Sequence, residues 1–193
     1  MQLVYVCVDT GSIDDTKEIV KKYTTHIYDF QWIDDFAAAR NFSFSKATKD
    51  YILWLDADDV LLEKDQHKLL TLKKELNSNT DAVSMSYHQG NDSNGNPLYI
   101  TNRNRLLKRK KIFQWFGKIH EYIKVEGNVI ASDIAIIHHK GKPQTDRNLK
   151  ILQTIVETKK EVPFREKFYY ANECMLHQKY DEAIYLLTSI LND

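Results

Sequence analysis

The sequence predicts a mixed α/β fold, a mostly parallel sheet flanked by helices, with a helical extension at the carboxyl end. Apolar, β-prone runs alternate with helical patterns through the first part of the chain, and the composition turns wholly helical after Gly141 and Pro143. The most informative run, YILWLDADD at residues 51–59, stops at three carboxylates, Asp56, Asp58 and Asp59. In such sheets ligands sit beyond the carboxyl ends of the strands, so this acidic edge is where chemistry is expected.

Each element has its own justification. Residues 3–8 (LVYVCV) form a continuous β-prone run, followed by a DTGS loop and a helical pattern through residue 23. Ser12 with Asp15 three residues on fits a capping box, which places the helix start at Ser12. Residues 26–30 read as a short strand, 35–48 as an alanine-rich helix and 51–55 as the strand that delivers the acids. A helix over 65–77 and a strand over 81–87 follow. The turn-rich 89–97 segment, QGNDSNGNP, predicts a connection between antiparallel strands, so the topology changes midway. From 98 to 137 short β-prone pieces alternate with turns. They carry a basic stretch at 103–111, which fits a phosphate grip and a lysine-guarded edge strand equally well. Helices are predicted over 146–160, 164–178 and 181–191.

The bulk numbers narrow the function classes. A chain of 193 residues holds one catalytic core plus a small appendage. Lys plus Arg equals Asp plus Glu at 27 each, which removes any global electrostatic case for nucleic acid or an anionic membrane surface. Cys7 and Cys174 lie far apart with no CxxC spacing, the pattern of reduced thiols, and neither is placed for catalysis. No apolar run approaches the ~20 residues of a membrane helix, and the amino terminus lacks a basic region with an apolar signal core. The expected location is the cytoplasm.

Acids held at a rigid strand end suit a hard cation, Mg²⁺ or Mn²⁺, set against phosphate oxygens. An Asp-rich loop that merely caps the next helix is the plainer alternative. Asp9, at the end of the first strand, shares the same sheet edge as Asp56. In the tail, Tyr169, Ala171, Tyr180, Ala183 and Leu187 take the small and aromatic positions of one tetratricopeptide unit. A lone unit cannot bury its own face, so it either packs on the preceding domain or belongs to an array.

DTGSIDDT at 9–16, FAAARN at 36–41, LDADD at 55–59, GKIHE at 117–121 and HHKG at 138–141 occur in that order. Together they resemble the family 2 glycosyltransferases of the GT-A fold, in the subgroup with tetratricopeptide repeats after the catalytic domain. The resemblance implies a sugar transferred with inversion from a nucleoside-diphosphate donor, UDP-linked, to an acceptor that is a glycan, a peptide or a small molecule. It implies that Asp9 meets the nucleotide base, Arg40 the nucleotide or its diphosphate, Asp56 the ribose, and Asp58 a divalent metal, Mn²⁺ or Mg²⁺. His139 is implied as a further metal ligand, with His138 its alternative because strand neighbours face opposite ways. Glu121 is the implied base, with His120 as neighbour or alternative. Trp115 and Phe116 fit either an apolar sugar platform or core.

The resemblance divides the chain into a glycosyltransferase domain at 1–143 and a helical extension at 144–193. The family's first strand and helix have no counterpart here, so either the sequence is a fragment of a longer protein or the open sheet edge is covered by rearrangement or by another chain, a second copy included. Two other readings fit the same residues. One is a catalytically inactive domain whose helical tail binds a protein partner. The other is a phosphohydrolase of the haloacid dehalogenase type, in which Asp56 is the nucleophile and Asp58 the acid/base.

Overall fold

The computed structural model describes residues 3–139 and 145–191. The chain runs β1 (Cys7–Asp9), α1 (Thr16–Lys21), β2 (Ile27–Asp29), α2 (Phe36–Ser45), β3 (Tyr51–Leu53), β4 (Asp59–Val60), α3 (Glu63–Glu75), β5 (Ala82–Asn91) and β6 (Pro97–Lys108). It continues through β7 (Trp115–Phe116), β8 (Tyr122–Ile123), β9 (Val129–His138), α4 (Arg147–Thr158), α5 (Phe164–Leu176) and α6 (Tyr180–Leu191). The boundary expected at 143/144 lies outside the described residues.

The sheet is mixed. Five strands pair in the order β3-β6-β5-β9-β4, while β1 and β2 form a separate parallel pair. The other parallel pairing among the described residues is β5 with β9. The 92–96 turn closes the β5–β6 hairpin, with Asp92 Oδ1 accepting hydrogen bonds from the backbone N–H groups of Asn94 and Asn96. That is how a short polar side chain substitutes for backbone pairing in a turn. The pairing of β9 with β5 slips between Ser84 and Ser86, bending β9, and the buried Asp65 of α3 accepts the Ala135 N–H at 3.1 Å. The bend is thereby tied to the helix that covers the sheet.

Three expectations change. Asp9, at the end of β1, lies on a strand pair separate from the sheet that carries Asp56, so the two do not share one sheet edge. The Ser12 capping box does not form: the Ser12 N–H goes back to Asp9, and α1 starts only at Thr16, whose N–H and hydroxyl bond Asp14. The 103–111 stretch is neither an edge strand nor free to grip phosphate throughout. β6 lies between β3 and β5, and Arg105 is fully buried.

Two apolar clusters hold the molecule. Val83, Met85, Tyr87, Leu106, Ile134 and Ile136 form the sheet core, against which Leu61, Leu69, Leu72 and Leu76 pack. The second core belongs to α4, α5 and α6, whose Leu149, Leu152, Ile155, Ala171 and Leu186 meet. Ala171 and Ala183 are buried at the α5–α6 contact, as a tetratricopeptide-like pair requires of its small residues. Ile119 joins this helical core from the preceding domain, with Trp32 and Phe36 against it. The tail is docked.

Candidate functional site

The strand β3 ends where the acids begin. After Leu53, Trp54 turns its indole N–H to the Asn104 carbonyl at 2.7 Å, and residues 56–59 close into a turn. The Asp59 N–H bonds the Asp56 carbonyl, and Asp59 Oδ2 accepts the Asp56 N–H at 3.0 Å. Asp59 is fully buried and ion-paired at 2.8 Å to Arg105, which is 1% exposed. The Arg105 guanidinium lies 3.8 Å from the Trp54 ring and 4.4 Å from Tyr87. A buried cation with an anionic partner and two aromatic faces is compensated, whereas either ion alone would be costly.

That frame leaves Asp58 facing outward, about half exposed, and Asp56 partly covered. β4 pairs with the end of β9 so that Asp59 stands opposite His138. His138 Nδ1 lies 3.5 Å from Asp58 Oδ1 and 3.7 Å from Asp59 Oδ1. Neither His138 Nδ1 nor Asp59 Oδ1 has a hydrogen-bond partner among the described residues, although both atoms are buried. Two carboxylates and an imidazole within 4.8 Å of one another, two of their ligand atoms orphaned, are a donor set that a divalent cation would satisfy. His139 is exposed on the other face of the strand and engages this turn only through its N–H, which donates to the Asp58 carbonyl. The geometry therefore offers His138, not His139, as the imidazole beside the acids. Gly141 of the same motif lies outside the described residues.

Arg40 projects from α2, whose first turn is capped by Asp35 accepting the Ala38 N–H at 2.9 Å. Its guanidinium donates to Asp56 Oδ1 at 2.8 Å and to Glu121 Oε1 at 2.5 Å. It also lies in the corner of two indole rings that pack edge to face on each other, 4.9 Å from Trp54 and 4.8 Å from Trp115. Burial alone would lower its pKa, but the charges of Asp56 and Glu121 raise it above the ordinary value. Asn41 clamps both sides of the Trp115 backbone, donating to its carbonyl at 3.0 Å and accepting its N–H at 2.9 Å. Trp115 is thus core that shapes the Arg40 slot, while the neighbouring Phe116 is exposed.

Asp9 and His120 stand apart from this cluster. Asp9 Oδ2 accepts the N–H groups of Gly11 and Ser12, with Lys17 at 3.7 Å. Burial pushes this carboxyl up, yet the Ser12 and Gly11 hydrogen bonds and the Lys17 charge outweigh it and leave the pKa below the ordinary value. The His120 ring turns away from Glu121 and stacks on Tyr169 at 4.2 Å, with Nε2 3.5 Å from Glu173. Burial against α5 lowers its pKa, and the pull of Glu173 upward does not offset this. As an alternative base His120 is badly aimed.

Sequence reasoning missed Arg105, Trp54 and Asn41. Asn41 closes the FAAARN motif, but nothing local shows its partner, which is 74 residues away.

The comparisons bear on the same residues. The SPbeta prophage-derived glycosyltransferase SunS of Bacillus subtilis strain 168 is 27% identical over 203 aligned residues, which take in 97% of this chain and 47% of SunS. A TPR repeat-containing protein of Synechococcus elongatus is 44% identical over 57 residues, 30% of this chain and 14% of that protein. The crystal structure of S. aureus TarS superposes with a TM-score of 0.49 at 13% identity, covering 88% of this chain and 37% of TarS. The chain spans about half the length of SunS. The model of the family described as glycosyl transferase family 2 matches residues 3–126, which carry Asp9, Arg40, the 56–59 acids and Glu121. The chain belongs to that family.

Proposed function

We propose that this chain carries the catalytic site of a metal-dependent, inverting glycosyltransferase that takes its sugar from a UDP-linked donor. The observation that carries the reading is the convergence on one guanidinium, Arg40, of Asp56 from the acidic turn and Glu121 from a segment 81 residues away from Arg40 in sequence. Donor-side and acceptor-side carboxylates then share one cation. Family membership decides against the phosphohydrolase reading.

Asp58, Asp59 and His138 would hold the divalent cation, Mn²⁺ or Mg²⁺. When bound, the cation supplies positive charge to the diphosphate leaving group. Asp56 orients the ribose, and Asp9, at the carboxyl end of the separate β1–β2 pair, receives the base. Arg40 offers a planar fork that suits phosphate oxygens as well as carboxylates. Glu121 takes the proton from the acceptor nucleophile as that atom bonds the anomeric carbon and the sugar–phosphate bond breaks on the opposite face. The two Trp rings and the buried Arg105–Asp59 pair keep this edge rigid. The acceptor is a glycan, a peptide or a small molecule.

The test is UDP release from UDP-GlcNAc and other UDP-sugars, with Mn²⁺ or with EDTA. Metal-dependent release is the expected result, with water as the slow acceptor when no other is supplied. A folded protein that binds UDP yet releases none from any donor would leave the chain a non-catalytic binding domain.

A further inference from the structure

Glu121 is held in place from the wrong direction for a self-contained catalytic domain. The loop that presents it, residues 117–121, has two left-handed residues, Gly117 at φ +92° and His120 at φ +50°. A non-glycine residue in that region needs outside support. The β7–β8 pairing closes the base of the loop and the Phe36 N–H of α2 bonds the Lys118 carbonyl, and the left-handed His120 is held from the helical extension. Arg165 of α5 donates to the His120 carbonyl at 2.5 Å, and a Cβ at Gly117 would come within 3.1 Å of the same guanidinium. The guanidinium lies 4.6 Å from the ring of Tyr122, just after the loop, and 4.8 Å from that of Tyr169 on its own helix, so it bridges the loop end to α5. The His120 ring lies on Tyr169 and points Nε2 at the buried Glu173. Asn148 of α4 donates to the same Glu173 oxygen at 3.3 Å. Between these two left-handed residues, Ile119 is buried in the core of α4, α5 and α6.

We infer that the helical extension is part of the active site: Arg165, Tyr169 and Glu173 of α5 are positioning residues that set the 117–121 loop and thereby aim Glu121 at Arg40. The inference rests on the proposed role of Glu121, but its geometric half does not. The helices fix the loop at its carbonyl, its imidazole and its one apolar side chain. Only the last residue, Glu121, is left to face the acids on the sheet. Displacement of a catalytic group by about 1 Å costs up to ~100-fold in rate, so a tail that moves the loop moves the reaction.

The experiment uses the full chain with Arg165→Met and, separately, the isosteric Glu173→Gln. Heteronuclear NMR without any ligand reads the Arg40 Nε–H and the Glu121 amide, and circular dichroism confirms that each variant is folded. Both resonances are expected to shift well beyond the average change elsewhere, with the Arg40 Nε–H exchanging faster. In the UDP-release assay both variants are expected to lose roughly 10-fold or more in kcat while KM for UDP-GlcNAc stays within about threefold. Wild-type resonance positions for Arg40 and Glu121 in both folded variants would overturn the inference. A wild-type protein without turnover would instead count against the Glu121 reading and leave the NMR result to decide the positioning claim.

Discussion

The acidic turn at 56–59 and the loop at 117–121 meet at Arg40, but they are built by opposite means. The turn is stabilised by its own backbone, by the adjoining strands and by the buried Arg105, so apart from the Arg40–Asp56 ion pair its support comes from the sheet. The loop is closed at its base by the β7–β8 pairing and bonded by α2 at Lys118, but its His120 and Ile119 are held by helices that begin more than twenty residues after it. The group proposed to bind the donor sits at a strand end of the sheet. The group proposed to face the acceptor sits at the seam between two cores, where a small rearrangement of the helices would alter its direction.

The sharpest way to break this comparison is to remove one function from each region. Glu121→Gln is expected to lower UDP release by roughly 100- to 10,000-fold, the range for loss of a general base, while UDP binding measured by calorimetry stays within a few fold. Asp58→Ala is expected to do the reverse at the level of binding, removing the Mn²⁺ dependence of UDP affinity. If both variants lose binding equally, the division between donor and acceptor sides is wrong.

Asp59→Asn tests the sheet-borne frame. It leaves Arg105 buried without an anionic partner, which costs about 3 kcal/mol or more in urea unfolding. A loss below about 1 kcal/mol would mean that the pair is dispensable and the turn is set by its backbone alone. Arg40→Lys is the corresponding test of the meeting point. Lysine cannot bridge Asp56 and Glu121 with a planar fork or fill the corner of the two indoles, so a loss of about 1–3 kcal/mol in UDP-dependent transition-state stabilisation is expected from the ratio of kcat/KM values.

How legible these two regions were in the sequence follows the same contrast. The acids, the strand before them and the three tail helices were readable because their signals are local: an apolar run, a cluster of carboxylates, helical periodicity between Gly and Pro. The 103–111 stretch fits a phosphate grip and an edge strand equally well because no local pattern tells that β6 lies inside the sheet, with Arg105 buried. His138 and His139 were separable only as opposite faces, and the pairing of β4 with β9 is what chooses between them. The His120–Glu121 step was assigned to one acceptor motif, whereas the fold sends the two side chains in opposite directions. That split depends on α5, far along the chain, and on the left-handed backbone at His120 that no local propensity announces.

The smallest expected effect is the pH dependence of the seam. The folded-state pKa of His120 lies below its ordinary value of 6.5, because burial disfavours the imidazolium. The unfolded chain therefore binds a proton more readily between the two values, and stability falls as pH drops through 6.5 toward the folded pKa. His120→Gln is expected to flatten that part of the urea-midpoint profile between pH 7 and about 5 relative to wild type. An unchanged slope would remove His120 from the seam.

The most direct measurement is a calorimetric titration of the wild-type chain with UDP in Mn²⁺, repeated in EDTA and with Asp58→Ala and Glu121→Gln. Binding that needs the metal, vanishes with Asp58→Ala and survives Glu121→Gln is the expected pattern. Binding of equal strength in EDTA, or none at all by a protein shown to be folded, would contradict a metal-assisted donor site at the end of β3.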